Sequence, residues 1–147
     1  MRTLFVAEPP RSWAERPKLV VDASLLAATL FSEPARGQAD AQVHGRALHA
    51  PSLIDYELAN VALNKIRSKA VSADDAQHIL DVYRQLDIER WDVDPASVIR
   101  IGEDFGLTAY DAAYLWVAGH LRAPIATFDA RLAAAAATYL KQLPPMS

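Results

Sequence analysis

A short apolar run, Leu19-Val20-Val21, leads directly into the carboxylate of Asp22 and constrains the fold more than any other stretch of this chain. A continuous run of Leu and Val is typical of a strand that is covered on both faces, as in a parallel sheet flanked by helices. In open sheets of that kind, ligands bind beyond the carboxyl ends of the strands. The sequence therefore predicts a buried strand that delivers Asp22 to the functional edge of a sheet.

The rest of the chain alternates short apolar stretches with helical periodicity. Further strands are predicted at Ala47 to Ala50, Ile88 to Val93 and Pro124 to Phe128. Ser52 is predicted to cap the helix that carries Glu57, because Asp55 stands three residues later at capping-box spacing. Alternation of this kind predicts an α/β fold in which helices flank a parallel sheet.

Four acids occupy unusual positions. Asp22 and Asp129 each follow a predicted strand, so both should project from the same edge of a parallel sheet. Asp111 lies in the first turn of a helix, and Glu57 lies among apolar neighbours with no cation within one helical turn. If the four carboxylates meet, cations must offset their repulsion, and oxygen-only ligands suit Mg²⁺ or Mn²⁺. Such a site would hydrolyse a phosphate ester with activated water.

Each acid also has a purely structural explanation. Asp22 and Asp129 can cap the helices that follow them, and Asp111 can complete a capping box with Thr108. A small α/β phosphatase or a receiver-like signalling domain also places an aspartate at the end of a strand. Ser24, however, stands two residues after Asp22, where those classes usually have a second acid.

Four stretches of the chain carry a resemblance to a known family. They are residues 20–24 (VVDAS), 51–61 (PSLIDYELANV), 107–114 (LTAYDAAY) and 126–132 (ATFDARL). In this order they resemble the PIN-domain nucleases, specifically the VapC-like toxins, over residues 18 to about 140. The resemblance implies a three-layer α/β/α PIN-like fold with a central parallel sheet of four or five strands.

The resemblance also implies an activity and the residues that perform it. The catalytic and metal-binding acids would be Asp22, Glu57, Asp111 and Asp129. The cofactor would be Mg²⁺ or Mn²⁺ and the reaction endonucleolytic cleavage of RNA, with Ser24 and Thr127 orienting a carboxylate or a water through their hydroxyls. The family further implies a homodimer and an antitoxin protein that blocks the site. A catalytically silent PIN-like module that binds RNA or protein remains an alternative.

Composition limits the ways in which such a protein could hold RNA. The chain of 147 residues is 52% hydrophobic, enough for one domain with a substantial core, and its lack of cysteine excludes disulfides and thiol chemistry. Its net charge of −3 means that attraction to phosphate must come from a local basic patch together with metal ions. No segment has the unbroken apolar length of a membrane helix, and we expect a cytoplasmic protein.

A basic stretch near the end of the Glu57 helix is the best candidate for contact with the RNA backbone. The candidates there and before it are Lys65, Arg67, Lys69 and Arg36. The negative end of the helix dipole also explains cations at this place, so both interpretations stay open.

The first seventeen residues differ from the rest, because they hold three prolines and no apolar periodicity. They predict an extended or disordered arm at residues 1–17, ahead of a nuclease domain at 18–142 and a tail at 143–147. The arm could be a disordered tail or a misplaced start, a segment that braces a dimer, or an arm that lies in the partner groove. In the last case, Arg11, Trp13 and Arg16 would contact the clustered carboxylates.

Overall fold

A computed structural model of the chain describes Phe5 and residues 15–145. In chain order, the elements are β1 (Lys18–Val21), α1 (Ala23–Leu30), α2 (Arg36–Val43), β2 (Ala47–Pro51), α3 (Ile54–Arg67), α4 (Ala73–Arg84), β3 (Glu89–Trp91), α5 (Pro95–Phe105), α6 (Ala109–Leu121), β4 (Ile125–Ala126) and α7 (Ala130–Gln142). No helix in this part of the chain has the length and apolar character that a membrane crossing requires.

The four strands form one parallel sheet in the order β3-β2-β1-β4. Strand β1 pairs with β2 on one side and with β4 on the other, where Val21 lies opposite Ala126. This register places Asp22 level with Thr127, because each is the next residue along its own strand. The predicted parallel sheet is confirmed, and the last strand of the chain lies beside the first.

Helices cover both faces of this sheet. Helix α6 packs against β1, β2 and β4 with α5 and α7 beside it, and α1 packs with α2, α3 and α4. All three apolar residues of β1 are at most 2% exposed, which requires cover on both faces. The architecture is therefore the three-layer α/β/α arrangement that the resemblance implies.

The predicted cap of α3 is wrong. The helix begins at Ile54, and Leu53 at its N-cap makes no side-chain capping bond. Ser52 Oγ instead donates to the backbone carbonyl of Trp91 at 3.3 Å, which joins the start of α3 to the end of β3. A long-range partner has replaced the local one.

Two strands are shorter than the apolar runs predict. The stretch Ile88 to Val93 contributes only Glu89–Trp91, and Pro124 to Phe128 contributes only Ile125–Ala126. Both strands lie at an edge of the sheet and are paired on one side only. An apolar run indicates that residues are buried, whereas the length of a strand depends on the strands that pair with it. The sequence therefore predicts edge strands that are too long.

Candidate functional site

Asp22 is buried at the carboxyl end of β1, with 7% of the residue exposed. It caps α1, where its Oδ1 accepts hydrogen bonds from the Leu25 amide at 3.0 Å and from Ser24 Oγ at 2.7 Å. Its Oδ2 accepts a hydrogen bond from Thr127 Oγ1. Three donors therefore hold this carboxylate in one orientation, so the capping role and a role in the site are compatible.

The hydroxyls of Ser24 and Thr127, which we call the hydroxyl clamp, join two parts of the chain that are more than one hundred residues apart. Thr127 Oγ1 donates to Asp22 and accepts from the Asp129 amide at 3.0 Å. Ser24 Oγ donates to Asp22 and accepts from the Phe128 amide at 3.4 Å. The clamp fixes the segment between β4 and α7 against the end of β1.

Glu57 lies half-buried in the first turn of α3, where its Oε1 accepts a hydrogen bond from Tyr114 Oη at 2.6 Å. Burial raises the pKa of Glu57, the Tyr114 hydrogen bond opposes this, and the negative charges of Asp22 and Asp111 raise the pKa further. Burial and the neighbouring Glu57 also raise the pKa of Tyr114, so the phenol remains a hydrogen-bond donor.

Asp111 and Asp129 lie at the N-terminal ends of α6 and α7. Burial raises the pKa of Asp111, and the negative charge of Asp129 raises it further, whereas the positive charge of Arg131 lowers it. Asp129 caps α7, and its Oδ1 accepts from the amides of Arg131 and Leu132 at 2.9 and 3.2 Å. The guanidinium of Arg131 donates to the Gly106 carbonyl at the end of α5, which anchors a cation beside Asp111.

The four acids thus form one electrostatic cluster at the carboxyl edge of the sheet. In the described part of the chain, no group of three or more His, Asp or Glu side chains has a geometry that could hold a metal ion. The donor chemistry nevertheless suits Mg²⁺ or Mn²⁺, because every candidate ligand is a carboxylate oxygen and the negative charges of neighbouring acids raise the pKa of Glu57 and of Asp111. Side-chain rotation would have to bring the carboxylates together around a shared ion.

The predicted basic stretch lies at the far end of α3. Lys65 follows Glu57 by eight residues, about 12 Å along the helix axis, and its Nζ pairs with Glu33 at 3.2 Å. Arg67 and Lys69 are exposed beyond it. The structure therefore separates these cations from the acidic cluster, and Lys65 already has a protein partner.

Two other cations predicted from the sequence, Arg36 and Arg16, lie in other parts of the protein. Arg36 pairs with Asp40 at 3.4 Å on the exposed face of α2. Arg16 lines a cavity with Arg46 at the amino ends of the strands, opposite the acids, so it does not make the contact with the carboxylates that one of the three interpretations of the arm requires. Arg11 and Trp13 lie outside the described residues, as do most of the predicted arm and the last two residues of the tail.

Sequence reasoning misses three features of this region. Tyr114 follows Asp111 by three residues, and that spacing on one helical face is a usable signal. Arg131 has no such signal, because its guanidinium reaches another helix. Asp55, interpreted as a capping residue, instead accepts hydrogen bonds from Tyr83 Oη at 2.6 Å and from Arg90 Nη2 at 2.8 Å.

The parallel sheet, its helical layers and the acids at its carboxyl edge define the class of protein. Residues 19–137 match the family model of the PIN domain, and the chain belongs to that family. It is 34% identical over 115 residues to VapC ribonuclease Mb0985 of Mycobacterium bovis. The match covers 78% of this chain and 87% of that relative.

Two further comparisons are with Pyrobaculum aerophilum. The chain is 31% identical over 121 residues to ribonuclease VapC3 of Pyrobaculum aerophilum, covering 79% of this chain and 92% of that protein. The crystal structure of PAE2754 from Pyrobaculum aerophilum matches with a TM-score of 0.66 at 26% identity, over 86% of this chain and 88% of that one. The predicted PIN-like fold with VapC-like relatives is confirmed.

Proposed function

We propose that this protein is a Mg²⁺- or Mn²⁺-dependent endoribonuclease and the toxin of a toxin–antitoxin pair. The observation that carries the proposal is the cluster of Asp22, Glu57, Asp111 and Asp129, in which the negative charges raise the pKa of Glu57 and of Asp111. The relatives named VapC ribonucleases support RNA as the substrate. We further propose a homodimer and an antitoxin that covers the acids, on the same family grounds.

The four acids would share the metal, with Asp22 as the fixed ligand because the hydroxyl clamp holds it. Bound Mg²⁺ or Mn²⁺ would supply Lewis-acid activation of water and stabilisation of the departing oxygen of the phosphodiester. The negative charges of Asp22 and Asp111 both raise the pKa of Glu57, which supports Glu57 and Asp111 as the acids that would join Asp22 at the metal. The clamp thus sets the position around which the other ligands assemble.

Glu57 would be the group that accepts a proton from the attacking water, because Tyr114 holds its carboxylate and burial raises its pKa. Its raised pKa makes it a stronger base than an ordinary glutamate. Tyr114 binds Oε1, and within the described residues Oε2 receives no hydrogen bond, so Oε2 is the atom that would take the proton. Tyr114 therefore acts as a positioning residue for Glu57.

The test is cleavage of a panel of purified RNAs with and without Mg²⁺ or Mn²⁺. We expect metal-dependent cleavage that Asp22→Asn and Asp111→Asn abolish while circular dichroism shows the fold retained. The matched control is Asp74→Asn, which changes an exposed acid in the first turn of α4 and should leave cleavage unchanged. Cleavage that survives both site substitutions, or persists in chelator, would exclude the mechanism. RNA binding without cleavage in either metal would favour the silent module.

A further inference from the structure

Within residues 15–145, the exposed aromatic side chains all lie next to acids of the site in the sequence. Between residues 15 and 145 the exposed ones are Tyr56 (80%), Tyr110 (66%) and Phe128 (44%), and every other Phe, Tyr and Trp in that range is half-buried or buried. Each of the three is the immediate neighbour in sequence of an acid of the site: Tyr56 of Glu57, Tyr110 of Asp111 and Phe128 of Asp129. Three exposed rings therefore adjoin acids of the cluster along the chain.

The three rings come from three elements that meet at the carboxyl edge of the sheet. Tyr56 lies in the first turn of α3, Tyr110 in the first turn of α6, and Phe128 just before α7. Neighbouring residues on a helix point about 100° apart, so Tyr56 and Tyr110 each project to one side of their acid, whereas Phe128 precedes Asp129, the N-cap of α7. The rings alternate with carboxylates, whereas a surface that docks a protein usually has one contiguous apolar core.

Phe128 also borders a groove that continues from the site. The groove has a volume of about 650 Å³ and runs along the outer edge of β4 towards α2, where Gln38 and Gln42 line it. Thr127, which bonds to Asp22, lies at its near end. A flat ligand on the Phe128 ring would therefore be continuous with the acidic cluster and would have side-chain amides within the same groove.

We propose that Tyr56, Tyr110 and Phe128 are stacking platforms for the bases of the nucleotides on either side of the bond that is cleaved, an inference that rests on the proposed function. The basic stretch at the far end of α3 lies away from the acids, and Lys65 there already pairs with Glu33, so contacts with the bases would add to the affinity that a bound metal supplies at this edge. Base–aromatic stacking supplies affinity for any base, because every base has a flat π face. It also requires nucleotides that are not paired in a helix.

The proposal is tested with Tyr56→Leu, Tyr110→Leu and Phe128→Leu, which keep an apolar side chain but remove the ring. Tyr56→Phe and Tyr110→Phe keep the ring, and Ile99→Ala changes a 64% exposed apolar residue on α5 as the matched control. The substrates are a short single-stranded RNA and versions of it with one abasic nucleotide on either side of the cleaved bond. The readouts are kcat/KM with Mg²⁺, and binding of the fluorescein-labelled RNAs by anisotropy in Ca²⁺.

We expect each Leu variant to lose about 5- to 150-fold in kcat/KM or in affinity. The Phe variants should recover most of what the Leu variants lose, because they keep the ring, and Ile99→Ala should match the wild type. An abasic nucleotide facing a removed ring should cause no further loss, because the same contact is already missing. Leu variants that match Ile99→Ala, or losses that multiply independently of the abasic site, would overturn the proposal and assign the rings to protein contact. If the wild type cleaves no RNA but its binding still depends on the rings, the proposed function fails, and the rings stand as base-stacking platforms with no cleaved bond between them. If it neither cleaves nor binds, both fail.

Discussion

Two tyrosine–carboxylate pairs of equal length show how the surroundings decide the state of a single side chain. Tyr114 donates to Glu57 and Tyr83 donates to Asp55, each at 2.6 Å. Burial raises the pKa of both carboxyls. Around Glu57 other acids add to that effect, whereas around Asp55 the hydrogen bonds from Arg90 and Tyr83 outweigh it and leave the pKa lowered. The same tyrosine–carboxylate contact therefore accompanies a raised pKa at Glu57 and a lowered pKa at Asp55.

Removal of the Tyr114 hydroxyl should change the pH dependence of cleavage. The bond to Tyr114 lowers the pKa of Glu57, so Tyr114→Phe should raise that pKa and move the acid limb of the kcat/KM profile to higher pH. The measurement is RNA cleavage from acid to neutral pH. The variant should also lose about 1 kcal/mol of unfolding free energy.

Tyr83→Phe is the control that separates this effect from a general loss of stability. It removes the same kind of hydroxyl, from a residue that is 5% exposed, but its partner is Asp55 and not an acid of the cluster. We expect a similar loss of unfolding free energy and an unchanged pH profile. Equal displacement of the profile in both variants would show that Tyr114 has no specific effect on Glu57.

At the level of elements, Asp55 connects three of them. It extends from α3, accepts from Tyr83 on α4 and pairs with Arg90 on β3. Burial and the hydrogen bond to Asp55 raise the pKa of Tyr83 to about 12, so the phenol stays protonated and remains a donor. The network fixes the start of α3, and therefore Glu57, relative to the sheet.

Asp55→Asn should destabilise the protein by about 1 kcal/mol, a value kept low because the ion pair is partly exposed. The folded-state pKa of Asp55 is lowered from its ordinary 3.8, so this stabilisation is present above pH 3.8 and is lost as the pH falls through the folded value. Urea unfolding at pH 7 and at progressively lower pH checks the prediction. A difference between wild type and variant that stays constant down to the lowest pH would contradict it.

The elements also show what the sequence can and cannot predict. The strand that ends at Asp22 and the helix that starts after Thr108 follow from local apolar pattern and cap chemistry, and both are found. Ser52 and Asp55 were interpreted by the same local rules, but their partners lie about forty residues away on or next to β3. The spacing of nearby residues cannot predict such distant partners, so Ser52 and Asp55 make tertiary contacts in place of the predicted capping box.

At the level of the whole molecule, the core draws on residues 19 to 136 and the family match on residues 19–137. Pro17 is already tied to the sheet, since its carbonyl accepts from the Ala47 amide at 2.9 Å. Phe5, far before it in the chain, is 87% exposed. We therefore propose that the folding unit is 18–142, with residues 1–17 as an added arm and 143–147 as a tail.

Deletion of residues 1–14 tests this division while leaving Pro17 in place. We expect the unfolding free energy to stay within about 0.5 kcal/mol of the full chain, and RNA cleavage and oligomeric state to stay the same. Chemical denaturation, cleavage assays and light scattering provide the measurements. A larger loss of stability, or a change from dimer to monomer, would instead assign the arm to bracing.

Because β4 pairs with β1, the surroundings of Asp22 are complete only after both strands have been synthesised. The ribosome delivers the chain from its amino end, so Asp22 emerges first, whereas Thr127 and Asp129, which complete its surroundings, emerge near the end. Translation that stops before residue 127 yields a product without the second half of the clamp. Under the proposed function, products of this chain that end before residue 127 should therefore lack nuclease activity, because Asp22 would not have its partner hydroxyl from Thr127.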